Sequence, residues 1–265
     1  MKKFWFILTA LVATCFLVAC SGSQGVSPKT IKEKKKIVVA TESEFAPFAF
    51  KSMVNGKDTL VGADIELAKA IGEKLGVKVE FSVMSFDNVL ANVQSGKADI
   101  AIAGISVTDE RKKVYDFSDS YYTSENVVIV KKDKVNDYTS TDSLAKQTVG
   151  TQKGSVQETV AKKQIPKASV VSLASNGEMI NELKSGQLQA VVLEKAIAEG
   201  YIAQNDDLTL ANFNLKSDGT DAYAVATRKG SDDLLKEINA VIKETKDSGK
   251  FDQWLKEAST YKQSK

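Results

Sequence analysis

The chain predicts an α/β protein of two lobes facing each other, each a central sheet flanked by helices, with a ligand cleft between them. Two observations lead there. Short apolar runs alternate with amphipathic helical stretches along most of the sequence, the order that builds parallel sheets from βαβ units. The later part of the chain then echoes the earlier part. Residues 88–103 run helix, Ser95-Gly96, apolar strand, and residues 178–193 run helix, Ser185-Gly186, apolar strand. Likewise Ile37 to Glu42 matches Gln147 to Gln152, each run reaching a threonine followed by a longer polar side chain.

Taken in order, Ile37-Val38-Val39-Ala40 is a short buried strand. Ile65, Leu67, Ala68, Ile71 and Leu75 recur at helical spacing over 64–75. A strand over 77–83, a helix over 86–95 and a strand over 98–103 follow, then the run Val127-Val128-Ile129-Val130-Lys131. The second series reads strand 148–151, helix 155–163, strand 169–173, helix 177–185 and strand 188–193. A strand over 222–227 and helices over about 231–247 and 250–262 close the chain. Ligands of open α/β sheets bind beyond the carboxyl ends of the strands. Residues 41–45 and 103–111 are therefore expected opposite 152–156 and 194.

The N-terminus carries its own signal. Lys2 and Lys3 precede an apolar run from Phe4 to Ala19 broken only by Thr9 and Thr14, the layout of a secretory leader over 1–19. The run is marginal for a permanent span, which wants roughly 20 apolar residues. Leu17-Val18-Ala19-Cys20 followed by Ser21-Gly22-Ser23 resembles the bacterial lipobox, in which the cysteine is acylated and becomes the first mature residue. Two acyl chains hold firmly where one holds marginally. The protein is thus expected outside the cell, anchored to the outer face of the membrane through Cys20. Residues 20–36, with Lys34-Lys35-Lys36 at the end, read as a flexible tether; the lysines either attract an anionic membrane or are simply solvated.

Composition removes most chemistry. With Lys2 and Lys3 cleaved away, the remaining basic side chains equal the 34 acidic ones, so no basic surface for nucleic acid is expected. The chain has no histidine, and its two cysteines are Cys15 in the leader and Cys20 at the anchor. Neither a His-based triad nor a Cys/His zinc site can be built. No metal or cofactor is expected.

Only two basic residues are arginines, Arg111 and Arg228. In so lysine-rich a chain an arginine suggests planar, bidentate hydrogen bonding. Arg111 follows Thr108, an N-cap candidate, just past the strand 98–103, so backbone N–H groups and a guanidinium would both face the cleft mouth as a carboxylate receptor. The alternative is an exposed first helical turn of Asp109, Glu110 and Arg111. Arg228, beside Lys229-Gly230, reads as surface.

Glu44-Phe45-Ala46-Pro47-Phe48, Val61-Gly62-Ala63-Asp64-Ile65, Ser106-Val107-Thr108-Asp109-Glu110-Arg111, Asp116-Phe117-Ser118-Asp119-Ser120-Tyr121-Tyr122 and Gly154-Ser155-Val156-Gln157-Glu158 stand in register over about 37–262. Together they resemble the polar amino-acid solute-binding proteins of ABC importers (solute-binding protein family 3). The resemblance implies the type II periplasmic-binding-protein fold, with chain crossings near 127–133 and 221–227. Lobe 1 would comprise 37–130 and 224–265, and lobe 2 would comprise 131–223. It also implies a non-enzymatic monomer, with a free polar amino acid and a permease–ATPase complex as partners.

Carried over by position, the resemblance implies that Arg111 clamps the ligand α-carboxylate, joined by the backbone N–H of Ser106 and of Val156. The α-ammonium would lie among Glu194, the Gly104 carbonyl and the Ser106 hydroxyl, with glutamate at 194 where aspartate is more usual. Phe45 and Phe86 would sandwich the ligand side chain, and Glu42 and Gln152 would reach its far end. Each has a plainer reading: Phe45, Phe48 and Phe86 as core, Glu42 as a solvated loop charge like Glu44, and Tyr121 and Tyr122 as packing near the hinge. Two buried carboxylates need compensation, which a ligand with a cationic side chain supplies, and a guanidinium between two rings adds cation–π attraction. Arginine is expected first, then lysine or histidine. Glutamine is the alternative within the family. A cyclohexadienyl- or arogenate-type dehydratase on the same fold, with Glu194 as general acid, is the alternative of another class.

Overall fold

The computed structural model describes residues 25–217, 219 and 221–264. The expected leader over 1–19 and the expected acylation site Cys20 lie outside the described residues. Among those described, no helix is long and apolar enough to cross a membrane.

The first element corrects the reading of 20–36 as a flexible tether. Its second half folds onto the protein as helix α1 (Pro28–Lys34). The Ser27 hydroxyl accepts from the Thr30 N–H at 3.2 Å, the Ser27 N–H donates to the Thr30 hydroxyl at 3.2 Å, and Pro28 supplies a pre-set φ at the first helical position. Val26 and Ile31, the two large apolar residues in this polar stretch, are both buried. The Val26 N–H also donates to the buried Ser231 hydroxyl at 2.8 Å. Two of the lysines are paired, Lys34 with Asp99 at 3.2 Å and Lys36 with Glu80 at 2.8 Å. A lysine-rich composition hid two apolar contacts that suffice to dock one short, well-capped helix.

Strand β1 (Lys36–Thr41) leads into a small antiparallel sheet of β2 (Glu44–Phe45), β3 (Ala49–Val54) and β4 (Lys57–Val61). Asn55 and Gly56 make the β3–β4 turn at φ 50° and 76°, the positive pair that two-residue hairpins require. Helix α2 (Ala63–Leu75) buries the expected stripe of Ile65, Leu67, Ala68, Ile71 and Leu75. Then come β5 (Lys78–Val83), α3 (Phe86–Gln94) and β6 (Ile100–Ala101), the last a short core of the run expected over 98–103. Helix α4 (Asp109–Lys112) begins at Thr108, whose hydroxyl accepts from the Arg111 N–H at 3.1 Å, and is followed by β7 (Tyr115–Phe117), β8 (Tyr122–Thr123) and β9 (Asn126–Lys131).

The second series is β10 (Thr148–Gln152), α5 (Val156–Gln164), β11 (Ser169–Leu173), α6 (Asn176–Ser185) and β12 (Ala190–Glu194). Helix α7 (Lys195–Ile202) and strand β13 (Leu208–Leu210) follow. The strand expected over 222–227 is two strands, β14 (Ala222–Tyr223) and β15 (Ala226–Arg228). Helices α8 (Asp232–Asp247) and α9 (Lys250–Ala258) pack their apolar faces on the first lobe.

Among the described residues, two larger sheets run β5-β1-β6-β15-β7 and β11-β10-β12-β9-β13. In each, the first strand of its series lies between the next two and parallel to both. The repeat seen in the sequence is thus a repeat of topology. Strand β9 pairs antiparallel with β12, Val128 opposite Val192, and so belongs to the second sheet rather than the first. The boundary expected at 130 accordingly moves back into the segment between β7 and β9, and the first crossing moves from 127–133 to β8. An all-apolar run carries no mark of which sheet it will join. The second crossing lies within 221–227 as expected, where Tyr223 of β14 faces Tyr122 of β8.

If α1 is part of the folded body, Ile31→Ala lowers unfolding free energy by about 2–5 kcal/mol in urea titrations. A flexible tether would leave it unchanged.

Candidate functional site

Strand ends and helix starts converge on the cleft. Glu42 follows the end of β1, Gly104 and Ser106 lie on the turn after β6, Gln152 ends β10 and Glu194 ends β12. Phe86 and Val156 are the first residues of α3 and α5. The two halves touch here. Gln152 Nε2 donates to Glu42 Oε2 at 3.0 Å, and the Arg111 guanidinium donates to the Ser106 carbonyl at 2.7 Å and to the Gly154 carbonyl at 3.0 Å. One arginine therefore bridges a carbonyl from each lobe. The Arg111 guanidinium carbon also stands 5.9 Å from the centre of the Phe86 ring. Phe45 packs against Gly104, whose φ is 57°; a Cβ there would come within 2.4 Å of the ring, so only glycine fits.

The electrostatics are those of a carboxylate-rich site. Burial pushes the Glu42 carboxyl from 4.5 up to about 8; the Gln152 hydrogen bond opposes this and the charge of Glu194 adds to it. Burial likewise pushes Glu194 up to about 7, against the pull of its own backbone N–H, the Gln157 amide and Arg111. The Arg111 guanidinium is drawn down by burial, and Glu194 opposes that. Glu42 Oε1 is buried without a hydrogen-bond partner among the described residues. The guanidinium thus acts on Glu194, while buried Glu42 has no cationic partner among the described residues, which leaves the cleft short of positive charge.

Several supporting residues went unassigned in the sequence. Asp64, at the start of α2, accepts from the Gly104 N–H at 3.1 Å and the Tyr121 hydroxyl at 3.1 Å. It thereby fixes the turn carrying Gly104, and burial pushes its own carboxyl up to about 7. Tyr121 packs near the hinge against Tyr223, as expected, and also holds this aspartate. Beneath Glu194, Gln157 donates to Asn126 at 2.7 Å and Asn126 to Asp221 at 3.2 Å. Asp64 and Gln157 sit inside the recognised motifs, but only their burial reveals the roles.

Two plainer readings are corrected. Glu44 is not a solvated loop charge: its carboxylate accepts from the Gly177 N–H at 2.9 Å. Arg228 is not a surface residue alone, since it donates to the carbonyls of Val93 and Ala98 at 3.1 Å each and ties α3 to the following strand. Phe48 is core, fully buried against Phe45, Tyr122 and Tyr223.

Two sheets that present their strand ends to a shared cleft make the two-lobed type II periplasmic-binding-protein architecture. Residues 37–258 match the family model described as bacterial extracellular solute-binding proteins, family 3, and the chain belongs to that family. It is similar to the arginine-binding extracellular protein ArtP of Bacillus subtilis (strain 168), with 34% identity over 97% of both chains. It is also similar to the ABC transporter glutamine-binding protein GlnH of the same strain, with 32% identity over 97% of this chain and 98% of that one. Among solved structures, the amino acid ABC transporter substrate-binding protein AbpA from Streptococcus pneumoniae Canada MDR_19A, bound to L-arginine, matches at 49% identity. Its TM-score is 0.86, over 89% of this chain and 100% of that one.

The raised carboxyls set a pH dependence. Glu42, Glu194 and Asp64 bind protons more tightly folded than unfolded, so their contribution is complete below 4.5 for the glutamates and 3.8 for the aspartate, and fades as pH rises through about 7 to 8. The melting temperature of the ligand-free protein should fall over this window, and Glu42→Gln should flatten the fall; an equally steep fall in the variant would clear Glu42 of the effect.

Proposed function

We propose that this protein captures a basic amino acid, L-arginine first, outside the cell and delivers it to the permease of an ABC importer. The observation that carries this reading is the charge imbalance of the cleft: buried Glu42 and Glu194 answered by Arg111 alone. Arginine as a ligand brings two positive groups and one carboxylate, and so balances the site. The similarity to ArtP and to arginine-bound AbpA supports the same choice.

In this reading the Arg111 fork, already anchored on two carbonyls, uses its remaining N–H groups on the ligand α-carboxylate together with the backbone N–H of Ser106 and Val156. Glu194, the Gly104 carbonyl and the Ser106 hydroxyl receive the α-ammonium. Phe45 and Phe86 flank the side chain, and Glu42 with Gln152 takes its guanidinium. Contacts from both lobes make the closed form the better binder, so the ligand shifts the lobes together. No bond is made or broken. Leader cleavage before Cys20, its acylation and action as a monomer complete the proposal.

Glutamine is a second reading with its own support. A Glu42 carboxyl that stays protonated near neutral pH, beside the Gln152 amide, can donate to a side-chain amide, and GlnH is a relative.

Calorimetric titration of the refolded, ligand-stripped protein with each common amino acid decides among these. Arginine should bind, Arg111→Ala should weaken it at least about a hundredfold, and Glu42→Gln should weaken arginine about tenfold or more while sparing glutamine. Glutamine binding with no arginine binding would overturn the charge reading. If no amino acid binds, and prephenate-like acids are instead turned over, the dehydratase reading replaces it.

A cationic ligand also drives protons off the carboxyls. Between pH 6 and 7, arginine binding should release protons, seen as a dependence of the heat on buffer ionisation enthalpy, and Glu42→Gln should reduce the number released. Binding heats that are the same in every buffer would contradict ionisation of Glu42 on binding.

A further inference from the structure

The lobes also meet outside the proposed ligand contacts: Lys153 pairs with Asp87 at 2.9 Å, and a group of hydrogen bonds gathers on a single residue of β2. Glu44 Oε2 accepts from the Gly177 N–H at 2.9 Å. Gly177 is the second residue of the ten-residue helix α6, where N–H groups have no intrahelical partner. The neighbouring Asn176 donates its side-chain amide to the Glu44 carbonyl at 3.3 Å, and the Tyr201 hydroxyl of α7 donates to the same carbonyl at 3.2 Å. Gln263 then donates to the Tyr201 oxygen at 3.3 Å. Gln263 belongs to a tail bound to β3 of the first lobe: the Ser264 N–H donates to the Lys51 carbonyl at 2.7 Å and the Ser52 hydroxyl to the Lys262 carbonyl at 2.8 Å. Glu44 is thus held by two second-lobe helices, its carboxylate by α6 and its backbone carbonyl by α6 and α7, and the C-terminal tail completes the ring from the first-lobe side.

Gly177 is part of the fit. A Cβ at that position would stand 2.8 Å from Glu44 Oε2, so an alanine would crowd the carboxylate and make it shift away from the Gly177 N–H. Glycine is a poor helix residue, and here its bare Cα leaves room for the partner lobe. The carboxylate gains a charged hydrogen bond and the positive end of the helix dipole. Both are made only while the lobes are together.

We propose that Glu44 is a closure residue, a positioning residue outside the ligand contacts whose docking on the start of α6 slows the escape of the bound amino acid. The proposal rests on the amino-acid-binding reading above. Because the contact favours the closed form whatever ligand lies inside, it sets residence time and leaves selectivity untouched.

The test is stopped-flow binding of L-arginine and L-lysine to the protein and to Glu44→Ala, Glu44→Gln and Gly177→Ala, with hydrogen exchange at Gly177 alongside. Glu44→Ala should raise koff about tenfold, by a common factor for both ligands, with kon within about twofold. Glu44→Gln, which keeps an acceptor but loses the charge, should fall between. Gly177→Ala, made on the opposite lobe, should reproduce the rise in koff, and the double variant should add little to either single one. The Gly177 amide should exchange slowly in the wild type and fast in Glu44→Ala. An unchanged koff, a change confined to one of the two ligands, fully additive variants or equal exchange at Gly177 would each overturn the proposal. Failure of the wild type to bind either ligand would instead overturn the ligand reading. In that event the exchange contrast, measured without ligand, still decides whether Glu44 holds the lobes.

Discussion

A carboxylate withdrawn from water must find hydrogen bonds or a positive charge; the cleft holds two such groups, Glu42 and Glu194, and a third, Asp64, lies buried beneath the Gly104 turn. Asp64 meets the demand locally, through the Gly104 N–H and the Tyr121 hydroxyl. Glu42 meets it in part by reaching across to Gln152, yet one of its oxygens stays unpaired. Glu194 leans on Gln157 and Arg111. The supporting network of Asp64, Tyr121, Gln157 and Asn126 follows from that one demand, because each of these side chains keeps a charged or strained element of the cleft in place.

The cleft is wired mechanically to the hinge. Tyr122 and Tyr223 face each other on the crossing strands, and the Phe48 ring packs edge-on to both, at 4.9 and 5.5 Å between ring centres. Phe48 in turn backs Phe45 at 5.3 Å, and Phe45 covers Gly104. Ser106 pairs with Tyr223 in a β-bridge, and the Ala224 N–H donates to the Ile105 carbonyl at 3.0 Å. A change of hinge angle therefore acts on the aromatic wall and the backbone donors of the site through packed, hydrogen-bonded neighbours. Closure and site geometry are coupled for that reason.

Much of this was legible beforehand. The stripe on α2, the strand of 148–151 and the Thr108 cap were readable because local spacing and capping chemistry act within one turn or one strand. The placement of 41–45 and 103–111 opposite 152–156 followed from a rule about strand ends, and the Glu42–Gln152 and Arg111–Gly154 contacts bear it out. Helix α1 was missed since its stability comes from Val26 and Ile31 docking on a distant surface. Strand β9 joins the second sheet and not the first, a choice the sequence does not mark because Val127 to Val130 would suit the interior of either. Glu44 and Arg228 looked solvated for a common reason: their partners, Gly177 and the Val93 and Ala98 carbonyls, are backbone groups with no signature in the side chains around them.

By itself the sequence determined the α/β repeat, the facing strand ends, the family and the scarcity of arginine that singles out Arg111. All of these are carried by residue type and spacing along the chain. Only the tertiary structure decided which sheet β9 joins, that Glu42 and Glu194 are both buried in the cleft, and that Glu44 crosses between lobes. Burial and backbone pairing are properties of distant segments brought together, and the free energy of a charge depends on that environment more than on the residue bearing it.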